Sequence, residues 1–174
     1  MATSVCWQVM QSMQRTLQSM SFTPQGRDQC SSIKSQNIVI RKVSAGAKAD
    51  ETKNLANVEK PGIVIVQPKA TRRPTNMGDN QLSWVIYPIL VQIIDNDSAD
   101  RVANQETYLK WQQQVARAFD CHDYTDIDAS VSCAYSFVQE TDTVDEKLWA
   151  RSPGVMVAAV VVLVYSKETR GIEL

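Results

Sequence analysis

The sequence predicts an α+β domain: a mainly antiparallel five-stranded sheet with two helices packed on one face, in the order α-β-β-β-α-β-β, with long loops. Three observations predict it. Residues 4–20 and 105–119 repeat apolar side chains at spacings of three and four, the period of a helix that lies on a core. Five other segments are short, rich in β-branched residues and bounded by Pro, Gly, Asn or Asp. Strands grouped between and after two helices fit a layer of helices on one side of a sheet.

The first helix carries Cys6, Met10, Met13, Leu17 and Met20 on one stripe, with Ser4 as its expected N-cap. Three methionines on a stripe can form an adaptable binding face or fill an irregular gap above a sheet, and a place in the core is expected. Pro24-Gln25-Gly26 ends the segment. A short strand follows over 37–43, then a small and polar loop over 44–60, a second strand over 62–67 and a second polar excursion over 68–82 that holds Lys69, Arg72 and Arg73. Structureless connections of this length in a compact domain are usually functional arms or segments disordered until bound, and interaction is the expected role. Residues 83–95 form the third strand, apolar on both faces except at Gln92. Pro88 cannot donate to a ladder, so a bulge, an edge or a bend is expected there.

A polar turn over 95–100 leads to the second helix, with Asn104 as its expected cap and Tyr108, Trp111, Val115 and Phe119 as its core stripe. Residues 121–128 read as a loop. The fourth strand, 129–139, alternates Val131, Cys133, Tyr135 and Phe137 with Ser130, Ser132, Ala134 and Ser136. The last, 155–165, is apolar at every position before it stops at Ser166-Lys167-Glu168. An unbroken run of this kind is a strand covered on both faces. It is too short for a bilayer, which needs about 20 apolar residues.

A chain of 174 residues with a net charge of -1 is expected to be one domain, residues 1–174, with no overall field that would favour nucleic acid or a cationic partner. Met1-Ala2-Thr3-Ser4-Val5-Cys6-Trp7 lacks the basic segment and apolar core of a signal peptide, so synthesis and assembly in a cytoplasm are expected. Cys6, Cys30, Cys121 and Cys133 form no CxxC pair and read as free thiols.

Little in the sequence points to chemistry. His122 is the only histidine, and with Cys121 and Asp123 beside it a small enzymatic or metal-binding site is the alternative from another class. Adjacent Cys and His point in different directions, however, and no second pair completes a tetrahedral site. The acidic turn at 95–100 has Asp100 where a calcium loop needs its sixth-position glycine, and an Asx-rich turn joining strand to helix is the favoured reading. No Walker loop, GxGxxG, GxSxG or HExxH is present. No catalytic residue, metal or cofactor is therefore assigned. Lys69, Arg72 and Arg73 are the one local excess of positive charge; such a cluster on a loop is more often a solvated tip or a partner for a neighbouring subunit's acids than a salt-sensitive contact with a phosphate backbone.

Two helices cover one side of a five-stranded sheet, yet the third and fifth strands are apolar on both. The open side would then be a large hydrophobic patch, the mark of an interface, unless the chain's own long loops cover it. Desolvating about six of its side chains gives a gross driving force on the order of 10 kcal/mol before association costs. Trp84, Ile86, Val157, Val161 and Leu163 are the expected subunit-interface residues, and closed head-to-tail contacts make rings.

The segments Tyr87-Pro88-Ile89-Leu90-Val91-Gln92-Ile93-Ile94-Asp95, Tyr108-Leu109-Lys110-Trp111, Trp149 and the terminal strand ending Ser166-Lys167-Glu168-Thr169-Arg170-Gly171 resemble uncharacterised phage and prophage proteins encoded among head-to-tail joining components. The order of elements is similar to that of the tail terminators of long-tailed phages. The resemblance implies a virion protein of the neck: a hexameric ring that caps the tail tube and docks the head-side connector, with DNA passing through its lumen. Its partners would be further copies of itself, the tail tube protein and the connector or stopper, with no membrane. Lys69, Arg72 and Arg73 would be the lumen candidates, and the loops at 44–60 and 68–82 would make neighbour contacts. A head-completion or stopper protein, or a tail tube protein, is the nearest alternative within the same particle.

Overall fold

The computed structural model describes residues 4–41, 58–66, 71–74, 82–95, 104–127, 131–139 and 156–169. They form α1 (Val5–Ser19), β1 (Ile38–Ile40), β2 (Gly62–Val66), β3 (Thr71–Pro74), β4 (Leu82–Ile94), α2 (Gln105–Phe119), β5 (His122–Asp123), β6 (Val131–Gln139) and β7 (Met156–Thr169). The fold is α+β, as expected. The strand order is β1-β2-β4-β7-β6-β5, with β3 also paired to β4, and only β1 and β2 run parallel. Two strands go beyond the five expected. Arg72 and Arg73, read as loop residues, lie in β3, and His122, also read as a loop residue, opens β5.

The sheet is organised on β4 and β7, which pair along their whole length from Leu82 opposite Thr169 to Ile94 opposite Met156. Their β-branched, aliphatic sequences suit a pleated surface packed on a core. The register shifts once, between Ile93 and Ile94, opposite the step from Ala158 to Met156. Val157 falls at that irregularity, and both Val157 and Ala158 join the main core at 5% and 4% exposure.

The ladder to β7 runs through Pro88 without a shift; on the other side of β4, β2 pairs with it as far as Val66 opposite Leu90, and β3 pairs with it from Thr71 opposite Ile86. At the start of β2, a Cβ on Gly62 would lie 2.7 Å from the Glu59 carbonyl and 2.8 Å from that of Asn37, so only glycine fits. Asn37, buried, donates from Nδ2 to the Pro61 carbonyl at 3.1 Å and ties the start of β1 to that of β2.

Both helices lie on one face. Val9, Met13 and Leu17 of α1 and Trp111, Val115 and Phe119 of α2 are fully buried in one cluster with Ile63, Ile65, Ile89, Val91, Val160 and Val162. The helix stripes are those the periodicity predicts, with Met20 only partly buried. The caps differ. Neither Ser4 nor Asn104 makes a side-chain capping bond. The N-terminus of α2 is capped from a distance: Thr107 donates its backbone N–H to Asp28 Oδ2 at 2.8 Å and its hydroxyl to the same oxygen. Trp111 Nε1 donates to the Thr23 carbonyl at 3.0 Å. Residues 23–28 are thereby strapped along α2, which closes the helical layer.

Candidate functional site

Along β7 burial alternates. Ala158, Val160, Val162, Val164 and Ser166 are buried under the helices, whereas Ala159, Val161, Leu163, Tyr165 and Lys167 are half-buried. On β4, Val85, Tyr87, Ile89, Val91 and Ile93 point inward and Trp84, Ile86, Pro88 and Leu90 outward. The apolar run is therefore fully covered on one face and incompletely on the other. Its chemistry does not alternate although its burial does, which is the signature of a surface still to be covered.

The sixth strand sharpens this. Its small residues Ala134 and Ser136 face the core, and its aromatic residues Tyr135 and Phe137 face outward. Ser136 is tolerated inside because it is satisfied: its hydroxyl donates to the Phe119 carbonyl at 2.7 Å and accepts from Tyr124 Oη at 3.2 Å. Register then builds the outer face in rows. Ile86, Tyr165 and Tyr135 form one; Pro88, Leu163 and Phe137 the next; Leu90, Val161 and Gln139 the third. Trp84 completes an aromatic cluster, its ring edge-on to Tyr135 at 6.0 Å, while Phe137 meets Tyr135 and Tyr165 at 5.5 and 6.1 Å. Phe137 is 43% exposed, unlike the core aromatics Trp111 and Phe119 at 0%. At the far end of the same face, Val64 and Ile94 form a small separate cluster with Val39, Val58 and Val66.

Four of the five expected interface residues, Trp84, Ile86, Val161 and Leu163, come together on this outer face. Val157 does not; the register irregularity sends it into the core. Tyr135, Phe137 and Tyr165 belong to the surface and were not singled out from sequence. The alternation in 129–139 set Tyr135 and Phe137 on one face, but which face only the register with β7 decides. Arg72 and Arg73 sit in β3 opposite Val85 and Trp84. Lys69, most of the 44–60 loop and the turn at 96–100 lie outside the described residues.

The region of Cys121, His122 and Asp123 has a different character. Cys121 has φ 53, the left-handed conformation that ends α2 after Asp120. The His122 ring is packed edge-on against Phe119 at 6.0 Å and Tyr124 at 4.8 Å. Among the described residues no three His, Cys, Asp or Glu side chains converge as metal ligands do. A cleft of about 470 Å³ beside β1 and β2 is lined by Ser31, Ser32, Lys34, Glu59 and Lys60, and its described lining holds no His or Cys. Among the described residues Cys6, Cys30 and Cys121 form no disulfide. Burial, opposed by a hydrogen bond with Thr107, pushes the Cys30 thiol up, away from the thiolate a nucleophile needs. Among the described residues no helix is long and apolar enough to cross a membrane. No protein-family model matches the chain, and no curated protein matches it.

Proposed function

We propose that the protein is a structural assembly subunit of the neck of a long-tailed phage, a tail terminator whose copies close into a ring that caps the tail tube and joins the head-side connector. One observation carries the assembly reading: β4, β6 and β7 turn Trp84, Ile86, Leu90, Tyr135, Phe137, Val161, Leu163 and Tyr165 away from the helices. Three strands spaced by about 4.8 Å and four rows deep give a patch of roughly 400 Å². That lies within the range of about 300–600 Å² typical of the largest patch on a monomer, a patch that is often functional. It is also about half of the roughly 800 Å² per partner of a standard interface. The outer face is thus the apolar part of a larger contact. The place in the particle rests on the resemblance of residues 83–171 and on the order of elements.

Mass measurement in solution and negative-stain images of the purified protein test the proposal. Discrete rings are expected. A monomer at about 100 μM would overturn the assembly reading. Open-ended tubes would replace the terminator with a tube protein, and rings that bind purified connector but not tail tubes would indicate a stopper.

A further inference from the structure

A ring needs two different, complementary surfaces on each copy, and the sheet supplies them at its two edges. We propose that copies join edge to edge, with β3 of one copy set against β5 of the next. The inference rests on the assembly reading above and names its contact. Among the described residues β3 pairs only with β4, and β5 only with β6, so each has one side of its backbone open. The edges carry opposite charge. Arg72 and Arg73 occupy the middle of β3, while β5 holds Asp123 and follows Asp120, both exposed acids.

The two edges also stand at the same level. One row crosses the sheet from Asp123 through Tyr135, Tyr165 and Ile86 to Thr71, the residue before Arg72. Five strands separate the ends by about 19 Å. A neighbour displaced along that row brings its Asp123 to the Thr71–Pro74 strand without sliding along the strand direction. The same displacement brings Trp84 and Ile86, one strand in from the basic edge, towards Tyr135 and Phe137, one strand in from the acidic edge. The charged strands β3 and β5 then meet at the centre of the seam, and these apolar side chains flank it on the outer face. β3 and β5 run in the same direction, and β5 is two residues long. Charge and side-chain contact, rather than a backbone ladder, therefore set the register of the seam.

Charge reversal tests this. The double variants Arg72→Glu with Arg73→Glu, and Asp120→Arg with Asp123→Arg, should each remain folded by circular dichroism and run as monomers by light scattering under conditions in which the parent protein assembles. Mixed in equal amounts, each offers the edge the other lacks, and the mixture should recover the parent's mass as a ring of alternating copies. If both variants assemble like the parent, or if each fails and the mixture does not recover, the edge contact is refuted while the assembly reading stands. If the parent itself is monomeric, both fall together. In the parent, raising sodium chloride from about 0.05 to 1 M should weaken assembly at least tenfold, because the edge charges are screened; indifference to salt would also overturn the proposal.

Discussion

Tyr135 and Tyr165 stack across the β6–β7 ladder with ring centroids 5.5 Å apart and planes 8° from parallel. The separation at so small an angle is that of an offset stack, a favourable cross-strand arrangement worth about 0.5–1.5 kcal/mol beyond its area. It lies on the face turned away from both helices. Its contribution to the isolated fold is modest, and its main effect is to set two half-buried aromatic rings face to face on the outer side of the sheet beside the exposed Phe137.

Neighbouring positions on β7 should therefore behave in opposite ways. Val162 is fully buried beneath the helices, and Val162→Asp places a charge where it has no partner, at a cost of more than about 4 kcal/mol. That variant should be unfolded or insoluble. Val161 is half-buried on the outer face, opposite Leu90 and Gln139. Val161→Asp should fold, with its melting temperature within a few degrees of the parent, but should not assemble. Thermal melts alongside light scattering separate the two outcomes, and an unfolded Val161→Asp would place that residue in the core.

Much of this arrangement is legible in the residues. The spacing of Tyr108, Trp111, Val115 and Phe119 predicts the buried face of α2, and the lack of alternation in β4 and β7 predicts two apolar faces. What is not legible is set by contacts between distant segments. β3 is a four-residue strand of Thr-Arg-Arg-Pro, with no apolar pattern to announce it; it exists because β4 extends beyond β2 and offers an open edge. Val157 looks like its neighbours, and only a one-residue irregularity turns it inward. Ser136 facing the core contradicts simple polarity, and it is the Phe119 carbonyl and the Tyr124 hydroxyl, each brought near by the tertiary fold, that permit it.

The cap on α2 comes from Asp28, not from the residue that precedes the helix. Its carboxylate takes two hydrogen bonds from Thr107 at the positive end of the helix, so Asp28→Ala should lower stability by about 1–2 kcal/mol. Asn104→Ala should cost less than half of that, since Asn104 makes no side-chain capping bond and its Oδ1 accepts from the Gln29 N–H at 3.2 Å at an exposed position. Urea titration of both variants checks the order, with the m-value expected to stay unchanged. Equal losses would show that the helix is capped locally.

Tyr124 gives the protein an alkaline limit. Burial pushes its phenol well up, opposed only in part by the hydrogen bond to Ser136. The folded state therefore favours the neutral phenol. Its contribution is complete below the unfolded value of about 10 and is lost as pH rises above it towards the higher folded value. Stability measured between pH 9 and 11 should fall more steeply for the parent than for Tyr124→Phe. Identical slopes would show that Tyr124 ionises freely in the folded state.

Asp126 sets a limit on the acid side. Burial pushes its carboxyl up, but hydrogen bonds from Ser12 and Arg15 and the Arg15 charge outweigh that and leave it below the ordinary value. Ser12 Oγ donates at 2.6 Å to one carboxylate oxygen and Arg15 Nη2 at 2.6 Å to the other, joining the segment after β5 to α1. A folded-state value lower than the unfolded one, about 3.9, means that the contribution is present above that pH and is lost as pH falls through the folded value. Arg15 and Asp126 are 59% and 47% exposed, so the pair is screened and its effect on stability is small. Asp126→Asn should flatten the loss of stability below about pH 4 and leave the alkaline limb intact. High salt should remove part of the difference between the two proteins, because the Arg15 charge is screened while the Ser12 hydrogen bond is not. An unchanged acid limb in Asp126→Asn would mean that α1 and the β5–β6 connection are held together without this carboxylate.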